Sequence, residues 1–549
     1  MSTYAPRPAA GRRGPDPVLR RGAATVLAGF VAVIGALYFG LFNHDFSVNG
    51  LRYADAVERG VELFHPNHLL PNFLYRGAFL AAQWIGLSGL RSIWIMQAIN
   101  ITAGLVAAAA IVRIGFARSF PRASNSFAES RPGLDRRGNV FLVGALYAVG
   151  FAAWNFAEEP DVYILPAAAV AVSLAWLVAR ERLEWRDVLG LGMLAVFAVL
   201  TLQQYVFWYP ALLAMARGRD LGTARRAKWL VLVLGVPLAC LASYLLVGAL
   251  QGRLHGGNDA LGWFLGYAWN NQSGFGTYRT APAFGSRLIG TVLGLGNLAF
   301  AYEVVLWPTA VALAAIASIL LLLIVLRTLG FLRRAEAGVR RDAAIIAAWS
   351  LANLVFAAWW ESRNIEFLFP LWIGLLALAA LAATALDRRL LAAAVLLVGG
   401  INLTVAFVPE SESPARYRVA EALAQHERLT AGDVLITEEL NTIGYLHYFD
   451  RVDVRFQPGA VSAAMHASAP VAQIRAAIDS ALAGGVRVYT TELDEHGRLR
   501  ELARWFAPLG RDGFDGAVER DIALLYRGLD TSTRPVPGVR QVFPAPTPR

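Results

Sequence analysis

Charged residues and cysteines are both scarce in this sequence. Only 16% of the 549 residues are charged and Cys240 is the only cysteine, whereas a soluble globular protein has about 25% charged residues. A single cysteine excludes an intrachain disulfide. The low charge argues against an ordinary soluble protein and directs attention to the apolar stretches.

Several motifs of other membrane-protein classes are also missing. The sequence has no glycine-rich phosphate loop, no nucleophile-elbow motif and no HExxH motif, which disfavours ATP-driven transport and membrane proteolysis by those routes. It shows no internal repeat, which weakens the interpretation as a secondary transporter. The net charge of +10 does not indicate a nucleic-acid partner, because the arginines cluster between apolar stretches as in cytoplasmic loops.

Long apolar stretches are what the sequence has in abundance. It is 56% hydrophobic, with a mean hydropathy of +0.46, and most stretches match the ~30 Å hydrocarbon core that a helix must cross. The stretches and the basic loops between them predict about eleven transmembrane helices in the cell membrane. They cover 22–42, 91–116, 139–156, 162–179, 188–216 (a short hairpin bent at Gln203–Gln204), 229–250, 304–326, 343–360, 366–385 and 389–408.

The arginines also predict which side of the membrane each loop occupies. Residues 1–21 form a basic tail that we place in the cytoplasm, so that loops 43–90 and 251–303 are outside. Residues 73–90 look like a further span, but a crossing there would put an arginine-rich loop outside. We therefore interpret 73–90 as an interfacial helix on the outer surface.

After residue 408 the hydrophobic pattern changes to that of a soluble α/β domain. Amphipathic helices alternate with β-rich runs over 409–529, outside the membrane, and 530–549 is a proline-rich tail that we predict to be disordered. The predicted helices are 415–428 and 470–483, and the predicted strands are Val434–Thr437, Val452–Phe456, Val486–Thr491 and Ile522–Tyr526. The predicted fold class is thus an α-helical polytopic membrane protein, with residues 22–408 in the membrane part and a C-terminal α/β domain.

Asp45 is the first candidate for chemistry, because it follows His44 directly after helix 1. An ionisable residue there suggests a functional site; the alternative is that Asp45 only marks the water interface. Asp55 is a nearby competitor. It stands four residues before Arg59, so an exposed ion pair within one helix accounts for it.

A second outer loop concentrates three carboxylates within a few residues. Glu158, Glu159 and Asp161 stand between helices 3 and 4, just before Tyr163. Like charges packed this closely repel one another unless a cation or a positive substrate shares them. The alternative is a solvated loop that only keeps this end of the helices outside.

Arg363 is the one arginine in a short loop between helices 9 and 10, against the positive-inside trend. A guanidinium binds phosphate through paired hydrogen bonds, which makes Arg363 a candidate phosphate ligand. The alternative is an ion pair with Glu361 or Glu366.

His65 and His68 lie in the first outer loop with His44. A histidine pair three residues apart can bind a divalent metal, but no third ligand is evident in the sequence. Interfacial histidines that shape a pocket are the favoured interpretation, and a metal stays an open alternative.

In order and placement these motifs resemble the GT-C class of membrane glycosyltransferases, which includes the protein O-mannosyltransferases and the lipid A aminoarabinose transferase. The resemblance covers roughly 1–408. Asp45 matches the aspartate after helix 1, His65-Pro66 the histidine–proline motif of the first loop, and Asp161-Val162-Tyr163 the acidic residue after helix 3. Arg363 and Phe367-Leu368-Phe369-Pro370 match the late loop with its basic residue and aromatic–proline run.

The resemblance implies an inverting transfer of a hexose or pentose from a polyprenyl-phosphate carrier to a lipid, glycan or protein acceptor, on the extracytoplasmic side. Asp45 would act as the base and Arg363 would hold the phosphate. Glu158, Glu159 and Asp161 form the second acidic group, and His44, His65, His68, Tyr163, Gln203 and Gln204 are pocket candidates. The alternatives are a flippase or transporter of a lipid-linked substrate and a membrane scaffold that presents the α/β domain.

Overall fold

A computed structural model describes most of the chain. It covers residues 17–119, 134–254, 259, 262–263, 281–362, 364–411, 415–425, 427–437, 440–458, 471–491, 524–527, 529–533 and 539–544. The long apolar stretches form helices, which confirms the predicted helical membrane part. These helices are α1 (Pro17–Gly40), α2 (Val48–Arg59), α3 (Pro71–Trp84), α4 (Ser92–Ser119), α5 (Leu134–Val149), α6 (Phe151–Glu158), α7 (Ile164–Ala179), α8 (Trp185–Thr201), α9 (Trp208–Arg217), α10 (Arg225–Leu230), α11 (Val236–Leu250), α12 (Ala281–Ala299), α13 (Pro308–Arg334), α14 (Ala337–Trp360), α15 (Ile365–Leu381), α16 (Arg388–Asn402) and α17 (Val408–Ser411).

The protein has several helices that suit a membrane. Within the described residues five helices are long and apolar enough to cross, and a sixth span forms if α5 and α6, bent by 61°, are counted together. Shorter apolar helices accompany them. The chain is a multi-pass membrane protein, and the count of eleven spans stays a prediction.

The segment around Gln203 forms the predicted short hairpin. A 3₁₀ turn joins α8 to α9 at Gln203–Phe207. The start of α8 and the end of α9 lie side by side, because the Leu183 N–H donates to the Asp220 carbonyl at 2.8 Å. At the tip, the Gln203 N–H donates to the Asn67 carbonyl at 3.0 Å, so the hairpin reaches the loop 43–90.

Two parts of the predicted outer surface can be checked against the helices. The helix α3 has 14 residues, about 21 Å at 1.5 Å per residue, which is too short to cross; Trp84 near its end is 87% exposed. The placement of 73–90 along the outer surface stays a prediction. The predicted loop 251–303, in contrast, contains the helix α12, which its glycines concealed from the hydropathy pattern.

The C-terminal domain is the predicted α/β unit. Its helices are α18 (Ala415–Gln425), α19 (Leu440–Asp450) and α20 (Val471–Ala483), and its strands are β1 (Val434–Thr437), β2 (Arg455–Pro458), β3 (Val488–Thr490), β4 (Leu529–Thr533) and β5 (Arg540–Pro544). The sheet order is β2-β1-β3-β5-β4. The strands β2, β1 and β3 are parallel, and β5 is antiparallel to both of its neighbours.

Two sequence expectations about the end of the chain are wrong. In place of the predicted strand Ile522–Tyr526, residues 524–525 are helical and 526–527 form a turn, while 522–523 lie outside the described residues. Within the tail predicted to be disordered, residues 530–533 belong to β4 and 540–544 form β5. The pairing of Val542 with Val488 in the sheet, where both are buried, overrides the local proline-rich composition.

Candidate active site

Two adjoining cavities lie between the loop 43–90 and the nearby helix ends, and the smaller one also borders the C-terminal domain through Asn441. The smaller has a volume of 230 Å³ and the larger 770 Å³, and Asn49 and Glu366 line both. The smaller cavity is lined by Asp45, Ser47, Asn49, Phe151, Asn155, Phe156, Glu159, Asp161, Tyr302, Ile365, Glu366, Glu410 and Asn441. Its described lining is thus rich in carboxylates and contains no arginine or lysine.

Asp45 reaches the smaller cavity from a turn that follows α1. The Asn43 side-chain oxygen accepts a hydrogen bond from the Asp45 N–H at 2.6 Å, and Gln97 on α4 donates to the Asn43 carbonyl at 2.7 Å. His44 lines neither of the two cavities. Its ring lies edge-on against Trp94 at 5.4 Å, and burial lowers its pKa, so it is placed as a packing residue.

The carboxylate loop between α6 and α7 supplies two further acids to the same cavity. Asn100 on α4 donates to the carbonyls of both Glu159 and Asp161 at 2.7 Å. The Ser47 N–H donates to the Glu159 carboxylate at 2.8 Å. A Cβ at Gly50 would lie 2.6 Å from that carboxylate, so only glycine permits this close approach of α2.

Glu158, the third acid of this loop, points elsewhere. The Trp154 indole N–H donates to its carboxylate at 2.6 Å, and Glu158 is absent from the lining of both cavities. The structure therefore brings Glu159 and Asp161 together with Asp45, and separates Glu158 from them.

Glu159 has an unusual protonation equilibrium. Burial raises its pKa from 4.5 to about 7, with a further upward contribution from the charges of Asp45 and Glu366, against the lowering effect of the Ser47 hydrogen bond. Burial likewise raises the pKa of Asp161, helped by the charges of Glu366 and Glu159. At neutral pH the carboxyl groups of this cluster are therefore not all ionised.

This shift predicts how stability depends on pH. The folded-state pKa of Glu159 lies above the unfolded value, so its contribution to stability is complete below about pH 4.5 and is lost as the pH rises through about 7. The full loss is about 3 kcal/mol at 1.36 kcal/mol per pKa unit. We expect Glu159→Gln, which keeps an acceptor for the Ser47 N–H, to raise the thermal unfolding midpoint at pH 8 and to leave it nearly unchanged at pH 4.5. An equal shift at both pH values would contradict this.

The larger cavity combines cations, histidines and aromatic rings. It is lined by Asn49, Arg52, Tyr53, Ala56, Glu62, Phe64, His65, Pro66, Asn67, His68, Asn72, Tyr163, Gln251, Arg253, Trp263, Trp360, Glu361, Asn364, Glu366 and Phe367. Arg52 and Arg253 give it positive charge that the described lining of the smaller cavity lacks. The larger cavity thus combines two guanidinium groups with the carboxylates of Glu62, Glu361 and Glu366, whereas the charged side chains in the described lining of the smaller cavity are all carboxylates.

His65 and His68 face each other in the wall of this larger cavity. Their ring centroids are 4.4 Å apart, and the Tyr53 hydroxyl bonds to His68 Nε2 at 2.8 Å. Burial, with the charge of His65, lowers the pKa of His68 to about 3, so this ring is neutral. Within the part of the chain that the structure describes, no three histidine, cysteine, aspartate or glutamate side chains are grouped as metal ligands would be.

Glu366 is a central residue that the sequence suggested only as an ion-pair partner of Arg363. The Tyr163 hydroxyl donates to its carboxylate at 2.5 Å, and Asn364 donates to the same oxygen at 3.0 Å. Burial raises the pKa of neighbouring Glu361 to about 7. Arg363 itself lies outside the described residues.

The glutamines at the tip of the hairpin stand behind the cavity wall. Gln204 is buried and donates to the Phe367 carbonyl at 2.7 Å and to Asn353 at 3.2 Å. Neither Gln203 nor Gln204 lines the two cavities. Gln204 thus fixes the hairpin against α14 and α15.

Asp55 is not the exposed ion pair that the sequence suggested. It pairs with Arg59, as predicted, but it is only 3% exposed and also binds Arg451 at 2.5 Å and His447 at 3.2 Å. Burial raises its pKa, yet the hydrogen bonds from His447 and Arg451 outweigh this and leave the pKa low. Asp55 is buried because α19 of the C-terminal domain covers α2.

The C-terminal domain also supplies site residues that sequence reasoning missed. Asn441, at the start of α19, lines the smaller cavity with Asp45. Tyr445, one turn further, contacts the backbone beside Asp45. Contacts across about 400 residues leave no local pattern, so no sequence signal pointed to either residue.

The bundle, the surface helices of its first loop and the C-terminal domain together define a GT-C-like fold. The chain is similar to ArnT from Cupriavidus metallidurans in the apo state, with 14% sequence identity and a TM-score of 0.52, over 86% of this chain and 95% of that chain. A structure of ArnT from the same organism bound to undecaprenyl phosphate has 13% identity and a TM-score of 0.49, over 86% and 94% of the two chains. The sequence matches no protein-family model and no curated protein.

Proposed function

We propose that this protein is an inverting glycosyltransferase, which moves a sugar from a polyprenyl-phosphate donor to an acceptor on the extracytoplasmic side of the membrane. One observation carries the proposal: Asp45 shares a cavity with Glu159, Asp161 and Glu366, and this cavity adjoins a larger one that contains guanidinium groups. Such a pair of sites suits a reaction that removes a proton at one end and releases a phosphate at the other.

Asp45 acts as the general base in this proposal. Its carboxylate takes the proton of the acceptor hydroxyl while the acceptor oxygen attacks the anomeric carbon from the face opposite the phosphate. The new carbon–oxygen bond forms as the bond to the phosphate oxygen breaks, and its electron pair leaves with the lipid phosphate. Burial raises the pKa of both Glu159 and Asp161, which lessens the negative charge that the cluster presents to the acceptor.

The departing phosphate requires positive charge. Arg363 remains the proposed ligand, and its neighbours in sequence, Glu361 and Asn364, line the larger cavity. Arg52 and Arg253 line the same cavity and offer further guanidinium groups. The prenyl chain would lie along the apolar faces of the membrane helices.

The test of this function is sugar transfer by the purified protein in detergent, with a panel of polyprenyl-phosphate sugars and candidate acceptors. Detergent micelles contain no second compartment, so a flippase gives no signal whereas a transferase turns over. Transfer with inverted anomeric configuration supports the proposal. Failure with every donor and acceptor of the panel would favour the flippase.

Arg363 can be tested in the same assay. If it holds the donor phosphate, Arg363→Ala should lower donor use by about tenfold or more, since hydrogen bonds to a charged group contribute about 1.5–3 kcal/mol. Arg363→Lys should retain part of the wild-type donor use, because lysine keeps the charge but lacks the planar guanidinium fork. An ion pair with Glu361 predicts instead that both changes are nearly silent, and that result would remove Arg363 from the site.

A further inference from the structure

A single tyrosine of the C-terminal domain holds the backbone on both sides of Asp45. The Tyr445 hydroxyl accepts a hydrogen bond from the Phe46 N–H at 2.7 Å and donates one to the His44 carbonyl at 2.6 Å. A hydroxyl has one donor and two acceptor positions, so one group satisfies both peptide units. Together with the bond from the Asp45 N–H to Asn43, these hydrogen bonds hold both peptide groups that flank Asp45.

The helix that carries Tyr445 is itself firmly seated on α2. Asn441, one turn earlier, accepts a hydrogen bond from the Val48 N–H at 2.9 Å. A Cβ at Gly444 would lie 2.8 Å from the Leu51 side chain, so the two helices are in close contact there. One turn beyond Tyr445, the Tyr448 hydroxyl donates to Glu58 at 2.6 Å.

Tyr445 is placed to act through Asp45 and not on a substrate. It is 1% exposed and lines neither cavity, whereas Asn441 lines the smaller one. Any effect of the Tyr445 hydroxyl on chemistry must therefore pass through the position of its backbone partners. A misplacement of about 1 Å at a reacting group can lower a rate by about 10²-fold.

We infer that the C-terminal α/β domain is a positioning element of the active site, and that Tyr445 sets the catalytic geometry of Asp45. This inference rests on the proposed function, in which Asp45 is the base. It assigns a role to a domain that is separate in sequence from the membrane part: without α19, the turn that carries Asp45 would lose two of its anchors.

Tyr445→Phe tests this, because it removes only the hydroxyl and keeps the ring that packs near Phe46 and Phe449. In the full-length protein we expect kcat for sugar transfer to fall about 10- to 100-fold, with the KM for the polyprenyl-phosphate sugar changed less than about twofold. The matched control is Tyr448→Phe, which removes a hydroxyl from the same helix that bonds to Glu58 and Ser92 and not to the Asp45 turn.

The thermal unfolding midpoint of each variant separates positioning from general stability. We expect both variants to lose a similar amount of stability and only Tyr445→Phe to lose kcat. Equal kcat values for the two variants would overturn the inference, as would an unchanged kcat for Tyr445→Phe. If the wild-type protein transfers no sugar, the proposed function fails; if it does and Tyr445→Phe is as fast, only this inference fails.

Discussion

Asp45→Asn is expected to lower sugar transfer by about 10²- to 10⁴-fold, the usual contribution of a positioned general base. Asparagine keeps the size of the side chain and the N–H that bonds to Asn43, so the turn after α1 should persist. What it loses is the ability to accept the acceptor proton. The measurement is kcat with a saturating polyprenyl-phosphate sugar, together with the thermal unfolding midpoint to show that the variant is folded.

The control for Asp45 must be an aspartate outside the site. Asp55 is unsuitable, because it is buried and holds Arg451 of the C-terminal domain. Asp453 suits the purpose: its side chain is 71% exposed, it pairs with His447, and it lines neither cavity. Asp453→Asn should retain transfer within about twofold, since an exposed pair contributes under about 1 kcal/mol. Comparable losses in both variants would remove Asp45 from its role as base.

The membrane part could be predicted well from sequence because its physics is local. A helix that crosses hydrocarbon must satisfy its backbone hydrogen bonds within itself and present apolar side chains, so α4, α13, α14 and α16 are visible as apolar windows. The placement of Asp45 and Asp161 at helix ends of the same side follows from counting spans. Helix α12 was missed because its glycines dilute its hydropathy.

The relations between distant segments could not be predicted. The burial of Asp55, the anchoring of the Asp45 turn by Tyr445 and the exclusion of Glu158 from the cavities depend on how α2, α6 and α19 pack. The strand β5 also depends on a contact between distant segments, because its residues join the sheet at the open edge of β3. With a single sequence, nothing in local periodicity reports such contacts.

The end of the bundle opposite to the cavities gives the second large expected effect, on stability. Arg219 and Asp342 are 6% and 0% exposed as side chains and pair at 2.7 Å. Arg219 also donates to the Leu177 carbonyl at 2.9 Å, so it joins the end of α7 to the start of α14. Arg341 bonds to the other oxygen of Asp342 at 3.3 Å but is 40% exposed. It would therefore stabilise the Asp342 carboxylate only weakly if Arg219 were replaced.

Arg219→Met should therefore lower the free energy of unfolding by about 3–5 kcal/mol, because it leaves the Asp342 carboxylate buried without its main partner. The double variant Arg219→Met with Asp342→Leu should recover most of this loss, since no buried charge remains. Arg182→Met is the matched control. Arg182 pairs with Glu184 at 3.0 Å, but the two side chains are 53% and 51% exposed. This substitution should therefore lower the free energy of unfolding by less than about 1 kcal/mol. Reversible unfolding in mixed micelles measures all three variants. If the double variant were no more stable than Arg219→Met, the loss would come from the missing contacts of the Arg219 side chain with Leu177, and not from the loss of its ion pair with Asp342.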